Sequence, residues 1–146
     1  MKAVKACLLH VILFLGYLIC HPEKSFSQAN QKLQEVVKSL PFINNPATIK
    51  GFPINKTLHV SKTLLSKGFR LVLWDSLYNI EKFLLSYYAE FEDVWVAEIS
   101  GDSVTLKKVK ILDHLKSGEW MEFSGFIIGK GGKHYTAPSF SVIITE

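Results

Sequence analysis

Residues 127 to 136 read IIGKGGKHYT, and two lysines set among three glycines are the raw material of a phosphate-binding loop. In such a loop backbone amides wrap the phosphates, the lysine neutralises them, and a Ser or Thr directly after it binds magnesium; the pattern is G-x-x-x-x-G-K-[ST]. Five residues before Gly129 stands Ser124, and five before Gly132 stands Ile127. Lys130 is followed by Gly131 and Lys133 by His134. Neither register fits, and no helical pattern follows to aim an N-terminus at a phosphate. Two adjacent glycines between β-rich runs predict a hairpin instead, because glycine adopts the positive φ of a two-residue turn without strain.

The remaining chemistry-bearing residues are dispersed. His59, His114 and His134 fall on a predicted strand, helix and hairpin without HxH or HExxH spacing, so no metal site is expected. Ser61, Ser100 and Ser139 lie outside any GxSxG elbow. Glu90, Glu92 and Asp93 are dense enough for calcium or acid–base work, but a charged turn between two aromatic runs is the simpler reading. The expectation is a non-catalytic protein without a cofactor. The alternative is a small secreted hydrolase whose groups converge only in three dimensions, which spacing along a chain does not reveal.

The N-terminus MKAVKACLLHVILFLGYLIC has Lys2 and Lys5 ahead of an apolar run from Ala6 to Cys20, followed by polar His21, Pro22, Glu23 and Lys24. That order is a secretory signal peptide. Its apolar run falls short of the roughly 20 residues a membrane span needs. Small residues at Ser25 and Ser27 place cleavage after Ser27, leaving Gln28 first; Ser27 with Ala29 is a second possible pair. No membrane span is expected after cleavage. Cys7 and Cys20 both leave with residues 1–27, so the mature chain has neither disulfide nor thiol. It would keep 14 basic and 12 acidic side chains of the precursor's 17 and 13. A balance so near neutral argues against a nucleic-acid partner, which would ask for a concentrated basic surface.

What must position these residues is about 119 residues, enough for one domain. Leu33, Val36, Val37 and Leu40 stand at helical spacing, so residues 28–53 are expected to hold a short helix and then a linker, PFINNPATIKGFP, broken by three prolines and a glycine. From residue 54 to 146 the chain reads as a mainly β, α+β domain, antiparallel and sandwich-like. Its predicted strands are INKTLHV, FRLVLWD, YNIEKFLLSYYA, VWVAEIS, EWMEFSGFII and YTAPSFSVII. In FRLVLWD, Phe69, Leu71 and Leu73 share one face while Arg70, Val72 and Trp74 share the other. Ser61 and Gly68 predict the cap and stop of a short helix near 61–67. Leu106, Val109, Leu112 and Leu115 predict a longer one near 106–116, closed by Gly118, with Lys107, Lys108 and Lys110 on its solvated side. Phe69, Trp74, Phe83, Trp95, Trp120, Phe123, Phe126 and Phe140 are expected to supply the core.

Taken in order, VSKTLLSKG, LVLWDSLYNIEKF, ISGD, ILDHLKSGEW and FSGFIIGKGGKHYTAPSFSVII make residues 58 to 145 resemble the C-terminal domain of the GldM gliding-motility family, a periplasmic part of the Bacteroidetes type IX secretion machinery. The family's closing turn usually carries Asp-Gly where this chain has Gly131-Gly132, and Pro138 intrudes at the last strand. The resemblance implies an interaction module in the periplasm or outside the cell, with a protein partner in the envelope; because the family's long shaft has no counterpart here, it is not expected to transmit force by itself. Turn tips are then the candidate partner contacts: Lys130 and Lys133 on the hairpin, and the turn holding Glu90, Glu92 and Asp93.

Overall fold

A computed structural model describes residues 23–89 and 94–146. The apolar run from Ala6 to Cys20 and the turn of Glu90, Glu92 and Asp93 lie outside the described residues. The fold is mainly β and sandwich-like, as the alternating runs predict. In chain order the elements are helix α1 (Glu23–Ser39), β1 (Ala47–Ile49), β2 (Thr57–Ser61), α2 (Lys62–Ser66), β3 (Phe69–Leu73), β4 (Asn79–Tyr88), β5 (Trp95–Ser100), β6 (Ser103–Val104), a 3-10 turn (Lys110–Asp113), β7 (Trp120–Lys130), β8 (Lys133–Ala137) and β9 (Phe140–Thr145).

The larger sheet runs β2-β9-β7-β4-β5, with β8 added beside the far half of β7. Strand β7 is long enough to serve two neighbours: Trp120 to Phe123 pair with β9, and Phe126 to Lys130 pair with β8. The change of partner falls at Gly125, whose φ of 59° accompanies a register shift against β4 between Lys82 and Leu84. Pro138 sits in the break between β8 and β9, where it removes no ladder hydrogen bond. The single run YTAPSFSVII is therefore two strands. A further correction concerns direction: β2 joins β9 in parallel, His59 opposite Ile143, within an otherwise antiparallel sheet.

The smaller sheet, β1-β3-β6, lies over the larger one. Between them Ile49, Phe69, Leu71 and Val104 meet Phe83, Phe123, Phe126 and Phe140 in one core. Phe123 is its centre, edge-on to Phe69 at 5.8 Å and stacked on Phe140 at 4.6 Å. Trp74 was expected in this core and is instead 76% exposed, because it follows Arg70 and Val72 onto the outward face of β3. Trp120 is likewise 39% exposed.

Two segments differ from their predicted form. Residues 41–53 are no linker. Ala47, Thr48 and Ile49 are buried as β1 and pair with Leu73, Val72 and Leu71, while Pro41 and Ile43 exchange backbone hydrogen bonds with Thr136. The buried Asn45 side chain donates to the Asp75 carbonyl and accepts from the Asp75 amide, doing what a longer ladder would otherwise do. The unit therefore begins well before residue 54. Residues 106–116 are not an α-helix either: turns lead into the 3-10 segment Lys110–Asp113. The apolar residues there recur every third position, the period of a 3-10 turn; in an α-helix that stripe would drift around the axis. Val109, Leu112 and Leu115 are still buried as expected.

The other helix expectations hold. Ser61 caps α2 by accepting from the Leu64 amide, and Gly68 follows it with φ of 84°. α1 is longer than predicted. It packs Leu33, Val37 and the adjacent Leu40 on Leu84, Ile127 and Val96, covering part of the outer face of the larger sheet. No described helix is long and apolar enough to cross a membrane.

Candidate functional site

A cleft of about 360 Å³ opens between β3 of the small sheet and the start of β4. Its polar lining comes from Lys50, Arg70, Ser76, Tyr78, Asn79 and Asp102. Strand pairing explains the placement. The Lys50 amide donates to the Arg70 carbonyl at 2.8 Å, and Arg70 pairs with Ser103 across β6. Lys50, Arg70 and Ser103 thus form a row across the face opposite Leu71 and Ile49. Gly101, with φ of 80°, makes the turn that brings Asp102 beside this row. The other rim is the loop after β3, held by Asn45 and by the Asp75 carboxylate, which accepts from the Leu77 amide. Beside the cleft that loop and the end of β3 expose Trp74 and Leu77.

The Arg70 side chain donates through Nε to Asp102 at 2.6 Å, and the same carboxylate accepts from the Ser103 hydroxyl at 2.9 Å. Burial pushes the Asp102 carboxyl upward. The two hydrogen bonds and the Arg70 charge outweigh that push together, so its pKa falls below the usual carboxylate value. Asp102 is therefore an anion committed to orienting Arg70. A third cation, Lys108, reaches the Ser100 and Ser103 carbonyls at 3.1 and 3.3 Å and is tied down there.

The hairpin predicted from its glycines is present. Lys130 and Lys133 are opposite one another, and Gly131 and Gly132 between them have φ of 57° and 76°. Lys130 lies over the Tyr78 ring at 4.6 Å, and Tyr78 meets Tyr135 edge-on at 5.7 Å. Tyr78 also lines the cleft, so the structure brings Lys130 to the cleft's border. Lys133 is exposed at the turn. Beside them His134 contacts Glu81 at 2.9 Å. That approach depends on Gly129, where any Cβ would overlap the Glu81 carboxylate.

Two other polar groupings pair a tyrosine hydroxyl with a glutamate. Tyr88 stacks on Trp120 at 3.8 Å and donates to Glu122 at 3.2 Å; burial and the Glu122 charge raise its pKa. Glu119 is buried, accepting from the Tyr87 hydroxyl and the Lys116 amide, and so ties the loop before β7 to β4. Among the described residues no three His, Cys, Asp or Glu side chains converge in a metal-binding group. His59, His114 and His134 stand on β2, after the 3-10 turn and on β8.

Sequence reasoning missed Lys50, Asp102 and the loop bearing Leu77. Two signals were present: Arg70 is the chain's one arginine, and alternation already set Arg70, Val72 and Trp74 on one face. No protein-family model and no curated protein matches this chain.

Proposed function

We propose that the chain is an exported, non-catalytic interaction module that engages a protein partner of the cell envelope through the cleft between β3 and β4 and the hairpin beside it. The observation carrying this reading is the composition of the cleft: two basic side chains line it, the loop continuing from its wall exposes Trp74 and Leu77, and the carboxylate in the lining is spent on Arg70. Such a mixture of a cation pair and an exposed aromatic suits recognition. A hydrolase would ask for a base titrating near neutrality within reach of a nucleophile. Asp102 is shifted the opposite way, so the cleft's chemistry supports binding over the hydrolase alternative.

Export follows from the leader-like N-terminus. Cleavage after Ser27 would shorten α1 but keep Leu33, Val37 and Leu40, the residues that dock it. The resemblance to the GldM C-terminal domain makes type IX secretion or gliding the setting in which to seek the partner. The test is a photo-crosslinking residue placed at Leu77 in the native host, with the mature N-terminus sequenced from the same preparation. A discrete adduct with one envelope protein, and Gln28 as the first residue, are the expected results. A cytosolic chain that keeps its leader, or turnover of ester or peptide substrates by the purified protein, would overturn the reading.

A further inference from the structure

We propose that the occupant of the cleft is an extended acidic peptide segment, with a carboxylate held between Lys50 and Arg70 and an apolar side chain four residues away packed on Trp74 and Leu77. This rests on the reading of the cleft as a protein-binding site and names what that site recognises.

Charge is the first argument. Lys50 and Arg70 are adjacent across the β1–β3 pair, and Asp102 offsets one of the two charges. Asp102 engages Arg70 at Nε, which leaves the terminal guanidinium N–H groups as a fork for a second carboxylate. Lys50, exposed on the same face, adds a point charge beside that fork. With Lys108 held beside Ser103 as well, the site keeps a positive surplus, which a carboxylate complements.

Spacing is the second. Arg70, Val72 and Trp74 alternate onto the outward face of β3, so Arg70 and Trp74 are about 13 Å apart at the strand rise of roughly 3.3 Å per residue. An extended peptide running along β3 has the same rise and puts its residues i and i+4 on one face. A Glu or Asp over Arg70 thereby places an apolar residue over Trp74, with the half-buried Val72 between them. The cleft volume of about 360 Å³ is near the lower end for ligand pockets, which suits a side chain or two of a longer segment.

The test is fluorescence anisotropy of the mature chain with a labelled heptapeptide, Ser-Glu-Thr-Ser-Thr-Leu-Ser, and two controls in which its Glu becomes Gln or its Leu becomes Ser. Both controls should bind more weakly, the Gln peptide by about tenfold or more, as expected for losing charged hydrogen bonds. K50M and R70M should each weaken the acidic peptide and leave the Gln peptide unchanged. W74A should weaken the parent peptide but not the Ser control. Equal binding of the acidic and Gln peptides would overturn the proposal. So would full competition by inorganic phosphate with no contribution from the peptide's Leu, which would mark a free-anion site. Far-ultraviolet spectra matching wild type would exclude misfolding, since all three altered side chains are exposed. A crosslink from Leu77 to an envelope protein together with indifference to peptide charge would sink this inference and spare the broader reading; loss of that crosslink would sink the broader one.

Discussion

Phe123→Ala on β7 and Trp74→Ala after β3 make a pair that tests the distinction between the core and the outer surface. Phe123 is fully buried between Phe69, Phe83 and Phe140, with ring centroids at 5.8, 6.0 and 4.6 Å. Removing the ring forfeits its transfer free energy and leaves a cavity that three other rings cannot close without leaving their rotamers, a loss of about 3–5 kcal/mol. A domain of this size has about 5–15 kcal/mol in total, so the variant should sit at the edge of folding. With a urea slope of about 1–1.5 kcal/mol per molar, the midpoint should fall by roughly 2–5 M. Trp74, 76% exposed, should change stability by no more than about 0.5 kcal/mol. Urea titration followed by far-ultraviolet circular dichroism reads both. A loss below about 1 kcal/mol for Phe123→Ala, or equal losses for the two variants, would refute the assignment of core and outer face.

Other outcomes follow from the same geometry. Leu33→Ala should cost about 2–5 kcal/mol within the small cluster under α1, and hydrogen exchange should show α1 opening while β7 stays protected. Gly68→Ala meets the Val104 carbonyl at 2.9 Å with φ of 84°, whereas Gly118→Ala at φ of 90° meets nothing within 4 Å. Both incur about 1–2 kcal/mol for the left-handed backbone, and thermal melts should show Gly68→Ala to be clearly the worse. Asp102 has a lowered folded pKa, so its contribution to stability is present above the unfolded value of 3.8 and is lost as pH falls through the folded pKa. Asp102→Asn should flatten that acid limb by less than about 1 kcal/mol, because the pair is solvent-exposed. Tyr88 is shifted upward by burial and by Glu122, so its contribution holds below 10.0 and is lost as pH rises through the folded pKa. Ultraviolet titration should show Glu122→Gln moving Tyr88 part of the way back.

Local chemistry was legible in the sequence; long-range pairing was not. Gly131-Gly132 specified a two-residue turn, and Ser61 with Gly68 specified a cap and a stop, because each depends on φ or one nearby hydrogen bond. The proline-rich stretch before Pro53 hid β1, since its burial is decided by partners on β3 and by the Asn45 amide rather than by its own pattern. The leucines from 106 onward fitted a helix in the count of apolar residues but not in their period. Of the turn-tip residues, Lys130 reached the cleft's border through Tyr78, a contact between strands far apart in sequence. Lys50 and Asp102 gave no signal of their own, because each acquires meaning only from standing beside Arg70.

The position of the cleft follows from which faces the fold needs for itself. β3 must turn Phe69 and Leu71 inward to close the core, and alternation then obliges Arg70, Val72 and Trp74 to face out. The two α-helices among the described residues are used elsewhere: α1 lies against β5 and β7, and α2 against β2 and the 3-10 turn. An isolated exposed apolar residue is ordinary on any protein surface. Trp74 and Leu77, though, are both exposed on the loop that leaves a cleft lined by a cation pair, and neither contributes to the buried core. Folding alone would be served as well by polar residues at both positions. Their identity is accounted for by an occupant with one charged and one apolar side chain, and this is why replacing Trp74 should be silent in a melting experiment and audible in a binding one.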